Sequence, residues 1–195
     1  MLARDYLLDL DLSFNRASDD ILSSIKDAEI QELLTNSTAW EKILIEWIQF
    51  IRSDLNILCP SVVRSANSIS MGLRFTNDVT ISELNNLWRN EKKATDVLSF
   101  PMIDSNFSFP SISCVELGDI VVSVSTAKRQ AKDMNHSLGI ELRWLVSHGL
   151  LHLLGWDHLD SISLEQMLSF QKQLIGKKNN LVRSTSSQNH NNSLS

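Results

Sequence analysis

Cysteine is scarce in this chain: of 195 residues only Cys59 and Cys114 are thiols, far apart and in no metal-ligand or redox spacing. That excludes a disulfide framework and a thiolate metal cluster, and it suits a reducing compartment. Long apolar runs are missing as well, none approaching the roughly 20 residues that span a bilayer. The opening stretch, MLARDYLLDLDLSF, places acids where a secretory signal would carry its apolar segment. Positive charge is in deficit too, with 23 acidic residues against 18 basic ones and a net charge of −5. A protein that coats nucleic acid by its overall charge is thereby excluded, so any phosphate contact has to be local. These absences together lead us to expect a soluble, cytoplasmic protein with no membrane association.

What is present is an ordinary globular composition, 43% apolar and 21% charged. The length suits one hydrophobic core rather than two full domains. Leu8, Leu10, Leu12 and Phe14 alternate with Asp9, Asp11 and Ser13, the period of a half-buried strand. Apolar residues at helical spacing predict helices over 18–34 and 38–52. Alternation returns over 68–76 and is closed by the turn-forming Asn77-Asp78. Thr80, with Glu83 three residues on, reads as a capping box for a short helix through Trp88. Short apolar strands at 97–100 and 120–124 flank a polar loop or lid at 104–113. Helices are expected over 126–134, 138–154 and 163–175, the second apolar almost all round and therefore buried. Trp40, Trp47 and Trp144 are expected in the core. Residues 177–195 are a polar run with too little apolar surface to offset the entropy of ordering it. We therefore expect one domain over residues 1–176 and a disordered tail after it.

Three of the five histidines fall within the segment SHGLLHLLGWDH. His148 and His152, four apart on the buried helix, lie about 40° apart around its axis and roughly 6 Å apart along it, aimed at one point. Gly155 is placed to end the helix in a left-handed conformation and turn the chain back, which lets His158 return as a third ligand. Three neutral imidazoles with an open fourth position make a catalytic zinc site, whereas a structural site is usually closed by four ligands. A lone histidine on an apolar helix is more often a satisfied core residue. Three ionisable rings in and just after the most apolar helix would be costly without a shared partner, however, and His-x3-His-x5-His is a zinc-binding spacing. Metzincin proteases share it, but there the residue after the first histidine is the glutamate that serves as general base. Here it is Gly149, which disfavours proteolysis.

The segment HGLLHLLGWDH resembles the HGxLHLxGYDH signature of the YbeY family of bacterial ribosomal RNA maturation factors, with Trp156 in place of the tyrosine. Upstream, ELNNLWRNEKKATDVLSFP (83–101) is similar to the family's LNxxYRxxxxxTDVLSFP, and LGDIVVSVSTAKRQA (117–131) to its LGDIxIxxxxAxxQA. Order and spacing agree from about residue 8 to residue 175. The resemblance implies an α+β fold, a single domain in which a small mixed four-stranded sheet packs with about five to six helices. It places the metal site on a buried central helix and the following turn, with one zinc ion per chain on His148, His152 and His158. The implied activity is single-strand-directed endoribonuclease action in 3′-end maturation of small-subunit (16S) ribosomal RNA and in ribosome quality control. Implied partners are the small ribosomal subunit and its assembly factors, with no role for DNA. The family's functional arginine falls on Arg89. Residues 18–34 and the loop at 103–115 look longer than the shortest family members require, and the tail has no counterpart.

A phosphodiester cleaver needs cations facing its metal to hold phosphates and stabilise developing charge. Arg89, Lys92 and Lys93 form one candidate cluster, Lys128, Arg129 and Lys132 a second, and Arg143 lies early in the metal helix. Solvated surface charge is the competing reading, strongest for the lysines. Ser99, with Thr95 and Asp96, could line the cleft or bond a histidine ligand, and all three could equally be turn chemistry. Asp157 could orient a ligand ring through its second nitrogen, or cap the turn. Asp119 and Glu141 are further candidates for supporting or basic groups. Catalytic roles are expected of Arg89 and His148. The rival functions are a zinc peptidase or other metallohydrolase on the same site, and a ribosome-assembly binding factor with weak nuclease activity.

Overall fold

In the computed structural model, which describes residues 8–103 and 114–176, the period-two segments build a mixed sheet. The expected lid at 104–113 and the expected disordered tail at 177–195 lie outside the described residues. β1 (Asp9–Asn15) pairs parallel with β2 (Ser68–Thr76). β3 (Val97–Pro101) pairs antiparallel with β4 (Cys114–Ser123), and β4 runs parallel to β2, giving the order β1-β2-β4-β3. Ile69, Met71, Leu73 and Phe75 are buried on one face, and the register puts Phe14 and Ile120 on either side of Leu73. Asp9, Asp11, Arg74 and Asp119 stay exposed. The fold class is α+β, with a mixed four-stranded sheet as expected.

Eight helices are described, more than five or six because the chain breaks one expected helix and adds another. The segment 18–34 divides into α1 (Asp19–Ser23) and α2 (Ala28–Thr35), because the Asp27 carboxylate accepts hydrogen bonds from the Glu29 and Ile30 amides and starts a new helix. α3 (Ser37–Ser53) buries Trp40, Ile43, Leu44, Trp47, Ile48 and Ile51. Trp40 rests on Phe75 at 5.6 Å between ring centroids, and its indole nitrogen donates to the Leu33 carbonyl at 2.6 Å. α4 (Ser61–Ser65), after Pro60, is the added turn.

α5 (Asp78–Arg89) is capped by Asn77, whose side chain accepts from the Thr80 amide, so Thr80 is inside the helix and the expected capping box does not form. Asn77 is as strong a cap and comes first, and Asp78 gains from lying in the positive first turn. β4 begins at Cys114 rather than residue 120, because a bulge between Ser70 and Met71 in its register breaks the alternation. Gly118 at the bulge has φ +116°, and a Cβ there would sit 2.0 Å from the Phe100 carbonyl oxygen, so only glycine serves. α6 (Val124–Asp133) is capped by Ser123, and α7 (Leu138–Leu153) by Ser137.

These elements belong to one compact unit, which ends at Trp156. The residues from 157 on form a second unit carrying α8 (Ser161–Gly176), whose Met167, Phe170, Gln171 and Leu174 are buried at helical spacing.

Candidate metal centre

α7 is the sheet's main cover on the buried face. It packs on β3 and β4, and the approach is closest at Gly149, where an added Cβ would meet Ile120 Cγ2 at 2.8 Å. The position that holds the general-base glutamate in metzincins is therefore pressed against the sheet, with no room for a side chain.

Along α7 every side chain is buried except Arg143 and the stripe Ile140, Trp144, His148, His152, which recurs every four residues. The histidines thus occupy the one line of the helix that opens outward. His148 Nε2 and His152 Nε2 lie 3.1 Å apart, with ring centroids at 4.6 Å and planes at 81°. Two nitrogens bound to one zinc at about 2.0–2.1 Å with a tetrahedral angle would be about 3.3–3.4 Å apart. After α7 the chain turns as expected: Gly155 has φ +85°, its amide bonds to the His152 carbonyl and the Trp156 amide to the Leu151 carbonyl, each at 3.0 Å. The Trp156 indole donates to the Leu58 carbonyl at 3.0 Å and pins this turn. One ring nitrogen from each of His148, His152 and His158 lies within 4.8 Å of the others, so the three could hold a metal ion. Among the described residues no other group of three or more His, Cys, Asp or Glu does so.

The remaining candidates divide by what they touch. Arg89 ends α5 and is exposed, as are Lys92 and Lys93. Lys93 pairs with Glu91 at 2.8 Å and holds its carboxyl below the usual range. Lys128 reaches the Ser24 carbonyl at 3.3 Å. Arg129 bonds Asp78 at 2.8 Å, and Arg143, largely buried, bonds Glu29 at 3.3 Å, so both guanidinium groups already have carboxylate partners. Lys132 is exposed. Ser99 pairs with Ile120 across β3 and β4, which sets it on the face that α7 covers. Asp96 accepts from Thr95, the Val97 amide and Gln130, tying β3 to α6. Asp157 accepts from the His158 amide at 2.8 Å, the turn-capping role. Asp119 pairs with Gly72 on the opposite face from Ile120, and buried Glu141 bonds His136. Trp40 and Trp47 are core, and Trp144 is half-buried. Trp88, which the sequence did not single out, is exposed.

Fold and site together define a class: an α+β protein with a cluster of imidazoles, able to hold a metal ion, on and just after the helix that covers its sheet. The sequence-family description Endoribonuclease YbeY matches residues 25–179, and the chain belongs to that family. It is 55% identical over 168 residues to "Endoribonuclease YbeY" of Prochlorococcus marinus (strain MIT 9313), covering 86% of this chain and 90% of that protein. The protein of the same name from Parasynechococcus marenigrum (strain WH8102) is 52% identical, over 76% of this chain and 80% of the relative. A solution structure of a Thermotoga maritima protein shares the fold, with a TM-score of 0.51 at 20% identity over 96% of this chain and 99% of that one. No described helix is long and apolar enough to cross a membrane.

Proposed function

We propose that the chain is a metal-dependent endoribonuclease that cuts single-stranded RNA, with one zinc ion on His148, His152 and His158. Its place of action is the cytoplasm, in 3′-end maturation of small-subunit (16S) ribosomal RNA and in ribosome quality control, with the small subunit and its assembly factors as partners. The observation that carries this reading is the meeting of three imidazoles in a chain whose relatives are named endoribonucleases. A divalent cation held there would polarise a phosphoryl oxygen and neutralise charge building on the scissile phosphate. The three rings would hold it through neutral ring nitrogens, as ligation by imidazole requires. Arg89 holds phosphate oxygens through its planar fork of donors, with Lys92 and Lys93 beside it. Lys128, Arg129 and Arg143 take a smaller share, since the two arginines already bond carboxylates. Asp157 steadies the third ligand by capping the turn that carries His158, and Ser99 lies on the face that the metal helix covers.

The test measures bound zinc and cleavage of an unpaired ribosomal RNA fragment, before and after chelation. Chelation is expected to stop cleavage and zinc to restore it. His152→Ala should lose the metal and slow cleavage by more than the roughly 100-fold that loss of a mere supporting group costs. Arg89→Ala should keep the metal and slow cleavage by about 100-fold or more, as loss of a charge-stabilising donor does. Cutting at the parent's rate by either variant would sink this assignment of roles.

A further inference from the structure

We propose that Trp88 is a platform on which one unpaired base of the substrate RNA stacks, with the adjoining phosphates held by Arg89 and Lys92. The proposal rests on the endoribonuclease reading and names the residue that selects single strands. Of the five tryptophans, all described, Trp88 alone is exposed, at 66%. Tryptophan is enriched at binding surfaces, where one rigid ring supplies a large contact area. The ring is also fixed. It meets Phe100 edge to face, with centroids 5.7 Å apart and planes at 62°, and Phe100 packs in turn on the buried cluster of Ile81, Leu98 and Val121. Just beyond it α5 is closed by Asn90 in the left-handed conformation, and the Asn85 side chain holds the Lys93 carbonyl at 3.0 Å, so the segment wraps back on the helix.

Charge identifies the occupant. Within residues 89–93 three cations face one acid, Glu91, which Lys93 already bonds at 2.8 Å, in a chain whose net charge is −5. An exposed aromatic ring followed within five residues of chain by an arginine and two lysines matches a base with its phosphates, and it tolerates any base because each has a π-face. In a duplex both faces of a base are covered by neighbours, so only an unpaired one can use the ring. β3 is the edge strand: α7 covers the face that carries Ser99 and Ile120, and Phe100 with the platform lies on the other, so an RNA strand that reaches both the ring and the histidines has to round that edge.

The test titrates zinc-loaded protein with a short, cleavage-resistant, unpaired oligoribonucleotide carrying 2-aminopurine, following anisotropy for affinity and fluorescence quenching for stacking. The parent should bind and quench. Trp88→Ala should bind about tenfold more weakly and lose the quenching, while Trp88→Phe should stay within about threefold of the parent. The same oligonucleotide annealed to its complement should bind all three proteins alike. Parent-like affinity and quenching in Trp88→Ala would overturn the platform, and so would a Trp88→Phe as weak as Trp88→Ala, since the side chain would then be a prop rather than a stacking ring. If the parent neither binds nor cuts RNA, the endoribonuclease reading falls with it; if it cuts RNA while Trp88→Ala binds as tightly as the parent, the platform falls alone.

Discussion

At the scale of single residues, the candidate ligands and the glycine between them are placed by the turn of one helix pressed against the sheet. His148 and His152 are four apart on an unbroken helix, so their convergence follows from the geometry of the helix. Gly149 between them is legible only half-way: the missing glutamate can be read, but not that the sheet fills its place. Its Cβ would meet Ile120 Cγ2 at 2.8 Å, and Ile120 is fully buried and cannot withdraw. Gly149→Ala should therefore lose about 1–2 kcal/mol, overpacking of about 1–3 kcal/mol outweighing the helix propensity of up to about 1 that alanine adds. Urea denaturation would measure this, and the loss should be smaller in an Ile120→Ala background, which removes all three carbons that the added Cβ would meet. A Gly149→Ala protein more stable than the parent would mean that α7 sits further from the sheet. Trp88 was not legible. Ile81, Leu84 and Trp88 share helical spacing and read as one buried face, but α5 stops at Arg89, leaving the last of them beyond the core.

At the scale of elements, the strands and long helices were found by their periods, whereas boundaries turned on single side chains. Asp27 and Asn77 begin helices that apolar spacing would begin elsewhere, and the bulge in β4 hid six of its ten residues from a period-two reading. One such boundary doubles as a clamp. Asp78 at the start of α5 accepts from Ser123 at 2.6 Å and Thr126 at 2.7 Å, and it pairs with Arg129 at 2.8 Å, joining the starts of α5 and α6. Burial alone would raise the Asp78 carboxyl, but the hydrogen bonds from Arg129, Ser123 and Thr126, with the Arg129 charge, outweigh it and hold the group below its ordinary value. A carboxyl depressed on folding stabilises the fold above its unfolded pKa, about 3.9, and that contribution fades as the pH falls through the folded value. Arg129 is mostly in water, so its charge adds little and the hydroxyl bonds matter more. Asp78→Asn should be less stable than the parent by about 1–3 kcal/mol at pH 7, with the gap closing below about pH 4. Denaturant midpoints at pH 7 and pH 3 would check it; a gap of the same size at both would show that the carboxylate's charge is not what the clamp uses.

At the scale of the whole molecule, the governing fact is an acidic chain asked to hold a polyanion. A net charge of −5 gives no general attraction for RNA, so affinity must come from a short stretch of cations. Two stretches were legible in the sequence, but their standing was not, because it depends on partners distant along the chain. Arg129 finds Asp78 and Arg143 finds Glu29, whereas Arg89, at the end of α5, and Lys92, just after it, are exposed. Each phosphate neutralised on a single strand contributes about −0.7 to the slope of log affinity against log salt. With Arg89, Lys92 and Lys93 as the contacts, the slope should be about −2, and closer to −1.4 if Lys93 stays on Glu91. Replacing Arg89 and Lys92 together should flatten the slope to about −0.7 or less, while Arg129→Ala should leave it nearly unchanged. Titrations of an unpaired RNA at several salt concentrations would decide. A parent slope of about −4 or steeper, shallower in Arg129→Ala, would mean that RNA displaces the internal carboxylate partners and runs over both clusters. The carboxylates of Asp78 and Glu29 would then be gates on the second cluster rather than fixed ties, and the Asp78→Asn variant would bind RNA more tightly than the parent.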